Sequence, residues 1–345
     1  MDVEVATTIS GVPPQEWDRM VDASSAPIFY RHAFLAAYER APLLPVERFL
    51  YVLVRDGPVL VAGLPAYLQT TADPVGLVAG VLPDPATRGN LALLSPCWHC
   101  YDAWLPALDR PQEALRMAWQ ALGRLARDHR GGWYGFVNVA EASPLAAAME
   151  CAGIALRPMQ TRFVLDLRGL RSMDDYLATL DNGRRNSSHG RRRAAELRKQ
   201  RRRADERSVT VSIGPPCRAG LRELLGLWRR RAARQGTGDM YAEEAFAPFV
   251  EALGPACRTI RIALEDRPLA SAVCLVDRDR LHGWVAGVDY EAAGTFSPYY
   301  VLVYETVRLA LELGCSTIEG GRTNGEVKRR LGMRPLELSA GLARA

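Results

Sequence analysis

Hydrophobic and polar positions along the chain lay out one compound pattern twice. Arg48 to Ala62 (RFLYVLVRDGPVLVA) and Arg258 to Ala272 (RTIRIALEDRPLASA) each read as an apolar-rich run, a charged Asp-x-Pro turn and a second apolar-rich run. Arg48/Arg258, Asp56/Asp266, Pro58/Pro268 and Ala62/Ala272 coincide at a constant offset of 210 residues. Two strand-like runs flanking such a turn predict a β-hairpin. A helix precedes each hairpin, around Ala33-Phe34 and around Ala245-Phe246. Downstream, a helix at 111–130, a strand Trp133 to Val139, a helix Ser143 to Ala152 and the pair Arg157-Pro158 mirror a helix at 300–313, a strand Thr317 to Glu319, a helix Gly325 to Leu331 and the pair Arg334-Pro335. The recurrence predicts a duplicated α/β domain, with halves 1–157 and 158–345 each long enough to bury its own core.

No apolar run approaches the roughly 18–20 residues that a membrane span needs. The opening MDVEVATTIS has neither a basic nor an apolar leader segment, so the expectation is a cytoplasmic protein without a membrane span. Seven cysteines are an odd number, and Cys274 within SAVCLV sits where a small apolar residue belongs. Cys97, His99 and Cys100 are the nearest approach to a metal set, but a structural zinc site needs four ligands and no second pair is visible, so no metal is expected.

Charge changes the picture. Arg184 to Arg203 (RRNSSHGRRRAAELRKQRRR) holds ten Lys/Arg and one acid, a local +9 in a chain of net +5, so the remainder sums to −4. On a helix these arginines fall on every side, and with only Ala194, Ala195 and Leu197 apolar the segment offers no stripe to bury. The expectation is a surface that faces water or, through Arg184, Arg185, Arg191, Arg192 and Arg193, an anionic ligand.

A second concentration of chemistry follows the amphipathic helix Tyr300 to Leu313, which Gly314 is suited to cap. A short strand leads to the glycine-bearing loop Gly320-Gly-Arg-Thr-Asn-Gly325 and then to a helix presenting Lys328, Arg329 and Arg330. Glycines admit a ligand to the backbone and a helix start favours anions, so Arg322 and Gly325 are candidate phosphate binders. A plain surface loop with basic side chains is the other reading.

A positive side chain beside a glycine-bearing loop is suited to hold a developing negative oxygen, and Lys328 is the candidate for that role. Asp289, after the strand Leu281 to Val288, and Glu319, ending the next strand, are the candidate carboxylates, with Trp284 and Tyr290 as walls of an acceptor pocket. Tyr299, Tyr300 and Tyr304 are candidate proton donors or pocket residues, Tyr300 foremost; His189 and His282 have no evident partners.

The run Ser297 to Gly332, the basic segment after Arg162 to Leu167 and the opening EWDRMVDASSAPIFYRHAFLAAYER resemble the tandem-GNAT enzymes related to the Fem peptidyltransferases. The resemblance implies two GNAT-like domains, each a mixed twisted sheet flanked by helices, and transfer of an activated acyl group to an amine. It implies aminoacyl-tRNA as co-substrate and tRNA as partner, with a small-molecule amine as acceptor and no permanently bound cofactor. It maps the oxyanion lysine onto Lys328 and phosphate contacts onto Arg184, Arg185 and Arg191 to Arg193. Two departures stand out: no coiled-coil arm is present, and the Gln/Arg-x-x-Gly-x-Gly/Ala loop of acetyl-CoA enzymes is incomplete, since Arg322-Thr-Asn-Gly325-Glu-Val327 fails at its last position. Acyl-CoA is therefore the alternative donor, and a non-enzymatic nucleic-acid-binding module the alternative class. Aromatics are not interleaved with the basic run, which weighs against the latter.

Overall fold

The repeated hairpins fold as strand pairs, and the second shows why its turn sequence works. Glu265 and Asp266 both adopt positive φ (49° and 64°), the type I′ geometry that matches the twist of paired strands. Pro268 sits at a register shift opposite Ile262 and Ala263, where a missing N–H is tolerated.

The computed structural model describes residues 1–73, 76–82, 90–182, 188–235, 240–291 and 294–345, with the side chains of 182, 188–192, 231, 234 and 235 outside the description. The chain divides into two units, Met1–Thr161 with Glu337–Ala345, and Arg162–Leu336. In the first unit the elements are β1 (Asp2–Ala6), α1 (Pro14–Ala23), α2 (His32–Arg40), β2 (Arg48–Asp56), β3 (Val59–Thr70), α3 (Leu77–Val81), β4 (Leu91–Ser95), α4 (Pro111–Asp128), β5 (Trp133–Ala140) and α5 (Pro144–Cys151). β6 (Arg157–Asp166) runs across the division. The second unit continues with α6 (Met173–Asn182), α7 (Ser188–Glu206), β7 (Thr210–Gly214), α8 (Arg218–Gln235), α9 (Glu243–Ala252), β8 (Cys257–Leu264), β9 (Arg267–Asp277), β10 (Arg280–Val288), α10 (Pro298–Glu312), β11 (Thr317–Glu319) and α11 (Gly325–Arg330), and β12 (Arg334–Arg344) closes the chain.

Each unit is built on the same sheet. β1 to β4 are antiparallel neighbours, β4 pairs β5 in parallel, and β5 pairs β12 antiparallel. In the second unit β7 to β10 are antiparallel neighbours, β10 pairs β11 in parallel, and β11 pairs β6 antiparallel. The parallel step is bridged by a long helix in both, α4 and α10, as a parallel connection requires. The sequence reading assigns 158–345 to the second half, whereas residues 337–345 lie with the first unit.

The basic helix departs from expectation. Ala194, Leu197 and Ala204 are fully buried in the core of the second unit. Spaced three and seven apart, they form a stripe one residue wide, and the Arg201 side chain lies along it, with Nε donating to the buried Glu305 carboxylate at 3.0 Å. Arg308 donates to the other oxygen of Glu305 at 2.7 Å. Small residues let α7 approach α10 closely, which a count of apolar residues overlooks. Arg193, Arg198 and Arg202 remain exposed, while Arg184 and Arg185 lie outside the described residues, as do the side chains of Arg191 and Arg192.

α8 packs on the sheet through the absence of a side chain. A carbon added at Gly287 would lie 2.6 Å from Leu227 Cβ and 2.8 Å from the Trp228 amide nitrogen. Gly287→Ala is therefore expected to lower unfolding free energy by about 1–3 kcal/mol, the usual cost of overpacking, as read by urea denaturation; an unchanged midpoint would show that α8 yields freely.

Candidate active site

β10 and β11 run in parallel over only three residue pairs, Arg280–His282 against Thr317–Glu319. β11 then ends, and β10 takes a register shift against β9 between Gly283 and Val285. The loop Gly320-Gly321 leaves the sheet at this parting, and what fixes it is a buried ion pair.

Arg162 on β6 and Glu319 on β11 are 7% and 4% exposed. Glu319 is paired across the strands with Val164, so Arg162, two residues along, is on the same face. Arg162 Nε donates to Glu319 Oε1 at 2.7 Å and Nη2 to Oε2 at 3.2 Å. Oε1 also accepts the Gly321 N–H at 3.1 Å, and Gly321, at φ 79°, returns its carbonyl to the Phe163 N–H at 3.1 Å. Burial pushes the Glu319 carboxyl up, but the Arg162 guanidinium, with His282 and Lys328 nearby, more than offsets this and holds it below the usual carboxylate range. His282 is fully buried with Nε2 3.4 Å from Asp277 Oδ2.

Lys328 comes to the same loop from α11. Of the three basic residues there it alone turns inward: Lys328 is 4% exposed, whereas Arg329 and Arg330 face solvent and Arg330 pairs with Glu326. The Lys328 ammonium lies 5.5 Å from the centre of the Phe163 ring and 3.6 Å from where a Gly321 Cβ would be. A side chain at 321 would thus intrude on the lysine. α11 is fixed at its far end by the buried Tyr176 hydroxyl, which donates to the Leu331 carbonyl at 2.9 Å. At its start, a Cβ on Gly325 would meet Phe163 at 2.6 Å, so that glycine is required by packing.

The other candidates are distributed around this centre. Arg322 reaches Met240 Sδ at 3.3 Å and lies near Tyr241, whose hydroxyl burial pushes up to about 12. Asp289 is held by Arg267 at 3.3 Å and Arg230 at 4.0 Å and accepts the Glu291 N–H at 3.1 Å, the contacts of a counter-ion and turn cap. Trp284 is buried against Tyr241, Phe246 and Phe249, while Tyr290 is 45% exposed with its hydroxyl 3.3 Å from the Asn324 amide. The structure therefore gives these two aromatics separate surroundings. Burial raises the Tyr300 hydroxyl, and Arg330, Glu196 and Glu326 are the charged groups acting on it. Tyr304 stacks under Arg201 at 6.0 Å. Arg162, Asp277 and His282 are what the sequence reading misses as a group; the signal is a charged residue opening the strand Arg162 to Leu167 opposite an acidic strand end. Among the described residues no three His, Cys, Asp or Glu side chains form a metal set, and burial raises the Cys97 thiol to about 12.

This arrangement, a buried lysine over a glycine loop beside a parted parallel strand pair, coincides with a family match. Residues 191–329 match the Acetyltransferase (GNAT) domain. The whole chain has the fold of tandem GNAT proteins. It is similar to FemX at 11% identity and a TM-score of 0.64, over 98% of this chain and 97% of that one. A tandem GNAT protein from the clavulanic acid biosynthesis pathway is similar at 13% and 0.57, over 99% and 98%. N-myristoyltransferase from Saccharomyces cerevisiae, solved with bound myristoyl-CoA, is similar at 11% and 0.55, over 99% and 79%. A search of curated protein sequences returned no match. Residues 191–329 are thus similar to a GNAT acetyltransferase domain, and the chain as a whole has the tandem, Fem-like architecture of these structures. No helix among its described residues is long and apolar enough to cross a membrane.

Removing one partner of a buried pair strands the other charge, so Arg162→Ala is expected to cost about 3–5 kcal/mol of stability. The Glu319 carboxyl titrates lower in the folded than in the unfolded chain, so its contribution is complete above the ordinary carboxylate range and is lost as pH falls through the lowered value. The stability gap between wild type and Glu319→Gln should be constant above about pH 5 and narrow as pH is lowered further. Urea unfolding across pH measures it, and a gap that widened in acid would reverse the sign assigned to Glu319.

Proposed function

We propose that this chain forms an amide bond, transferring an aminoacyl group from aminoacyl-tRNA to the amine of a small-molecule acceptor of natural-product or cell-wall type. The observation that carries the reading is Lys328, buried to 4% exposure beside the Gly321 loop. The amine nitrogen attacks the acyl carbonyl, its carbon–nitrogen bond forms, the ester bond to the terminal ribose breaks, and the proton lost by the amine is taken by the leaving ribose oxygen. Lys328 holds the negative oxygen in between. Arg162 and Glu319 brace the loop against which Lys328 works. Asp289, paired with two arginines, serves as a counter-ion, and the acceptor enters as the neutral amine. The exposed Arg193 of α7, together with its sequence neighbours Arg191 and Arg192, takes the tRNA phosphates. The first unit is assigned no catalytic residue; Asn138, Glu141 and Ala148, in the part of the first repeat that holds β5 and α5, offer neither a lysine nor an arginine.

The second reading is an acyl-CoA donor. Arg322 and Gly325 favour it as a partial pyrophosphate loop, as does the bound myristoyl-CoA of one structural relative. α11 spans only Gly325–Arg330, too short for its dipole to carry such a site alone. Mass spectrometry of acyl transfer with charged tRNA and acyl-CoA supplied in parallel separates the two.

Because an oxyanion exists only near the transition state, Lys328→Ala should lower kcat about a hundredfold or more and leave donor affinity within a few fold. A folded Lys328→Ala protein with near-normal turnover would remove the residue from the mechanism. If tRNA is the donor, neutralising Arg191, Arg192 and Arg193 should flatten the salt dependence of binding by roughly 0.7–0.9 log units per log salt for each phosphate left without its arginine. An unchanged slope would exclude this segment from tRNA binding.

A further inference from the structure

The first unit carries a cleft of its own, away from the residues that build the Lys328 centre. α4 and β5 bound an open cavity of about 430 Å³ lined by Trp119, Gln120, Gly123, Arg124, Arg127 and Tyr134. All six belong to the first unit. Trp119, Gly123 and Arg127 recur every four residues and so share one side of α4, with Gln120 and Arg124 beside them. Tyr134 reaches the helix at the glycine: a Cβ on Gly123 would lie 3.0 Å from the Tyr134 ring carbon Cζ and 3.1 Å from its hydroxyl. The missing side chain is what lets that ring lie against α4 as a wall. Trp119 is 5.0 Å from Tyr134 between ring centres and is stacked with Phe136 at 6.3 Å and an interplanar angle of 6°. Packing thus holds both half-buried rings in place while part of each faces the cleft.

The polar side of the cleft is cationic and uncompensated. Arg124 and Arg127 are exposed, and among the described residues neither has an ion-pair partner. Arg116, earlier on the same helix, pairs with Glu113 at 3.9 Å. From Trp119 to Arg130 the chain has three arginines and one acid, Asp128, a local charge of +2. A cation complements the carbonyl end of a helix only within its last turn, which accounts for Arg127 but not for Arg124.

We propose that this cleft binds a nucleoside phosphate, with the base against the Trp119 and Tyr134 rings and the phosphate held by Arg124 and Arg127. A half-exposed indole and phenol offer any base a π surface, and two guanidiniums a turn apart offer an anion charge-assisted hydrogen bonds. Gln120 supplies both a donor and an acceptor to a base edge. The volume lies within the roughly 300–1,000 Å³ of small organic ligand sites and is more than an inorganic anion fills. The interleaving of aromatic and basic side chains that the α7 run lacks is present here, in the other unit. A free nucleotide and an unpaired RNA strand share this chemistry. The assignment is independent of acyl transfer and of the donor that Lys328 serves.

Binding is read without turnover. With 5-fluorotryptophan incorporated in the full chain, the Trp119 fluorine resonance, assigned by its loss in Trp119→Phe, is expected to move as AMP is added. Adenosine and inorganic phosphate should each require about tenfold higher concentration or more, since each makes only half of the contacts. Arg124→Gln combined with Arg127→Gln, both at exposed positions, should weaken AMP about tenfold or more and leave the adenosine response unchanged. An unshifted Trp119 resonance in the ligand-free double variant shows that its cleft is intact. Tighter binding of tetra-adenylate than of AMP identifies an unpaired RNA strand as the source, and equal binding a free nucleotide; either result keeps the site. A Trp119 resonance indifferent to AMP, one that follows phosphate or adenosine as well as it follows AMP, or AMP binding unchanged in the double variant overturns the proposal.

Discussion

The Arg162–Glu319 pair is the constraint on which the loop around Lys328 depends. It is a fork-to-fork contact between neighbouring strands, and its carboxylate also fixes the backbone of Gly321. An ion pair out of water adds little net stability, since desolvation offsets most of the attraction. What it contributes is geometry. With both charges committed to each other, the loop after β11 has one low-energy course, and the Lys328 ammonium meets a fixed surface. A like-charged arginine and lysine share this interior because the carboxylate lies with them.

The two repeats use one sheet plan for different interiors. The second unit buries its ion pair at the parting of the parallel strands. The first holds a part-buried neutral amide contact, Gln160 donating to Asn138 at 2.6 Å, and the buried Asn138 amide donates in turn to the Cys100 carbonyl. The same topology therefore supports a charged centre only where the sequence supplies both members of a pair.

Sheet and helix order were legible because they follow from local signals that recur: the hairpins at 48–62 and 258–272, and long helices after them. Lys328 was legible for a different reason, its place in a short stretch dense with glycine and charge. Arg162 was not, because nothing near it in sequence reveals that Glu319, far along the chain, ends the strand beside it. The packing of α7 was missed because Ala194, Ala195 and Leu197 read as too few apolar residues for a stripe, Ala204 lies just past the basic run, and Glu305, which receives Arg201, is far away in sequence on α10. Trp284 and Tyr290 illustrate a further limit, since the register shift beside Trp284 sends nearby residues to different surroundings, and alternation along a strand cannot reveal a bulge.

The partner of β5 in the first sheet is β12, whose residues 338–344 follow residue 140 by about 200 positions. On a ribosome adding roughly 5–20 residues per second, β5 waits some tens of seconds for that neighbour, with one row of backbone donors and acceptors unpaired. Everything between, the whole second unit, is made first. Emergence order and folding order are thus uncoupled: the unit begun earliest is completed last, and its open strand is the place where a chaperone or a misfolding partner has time to act.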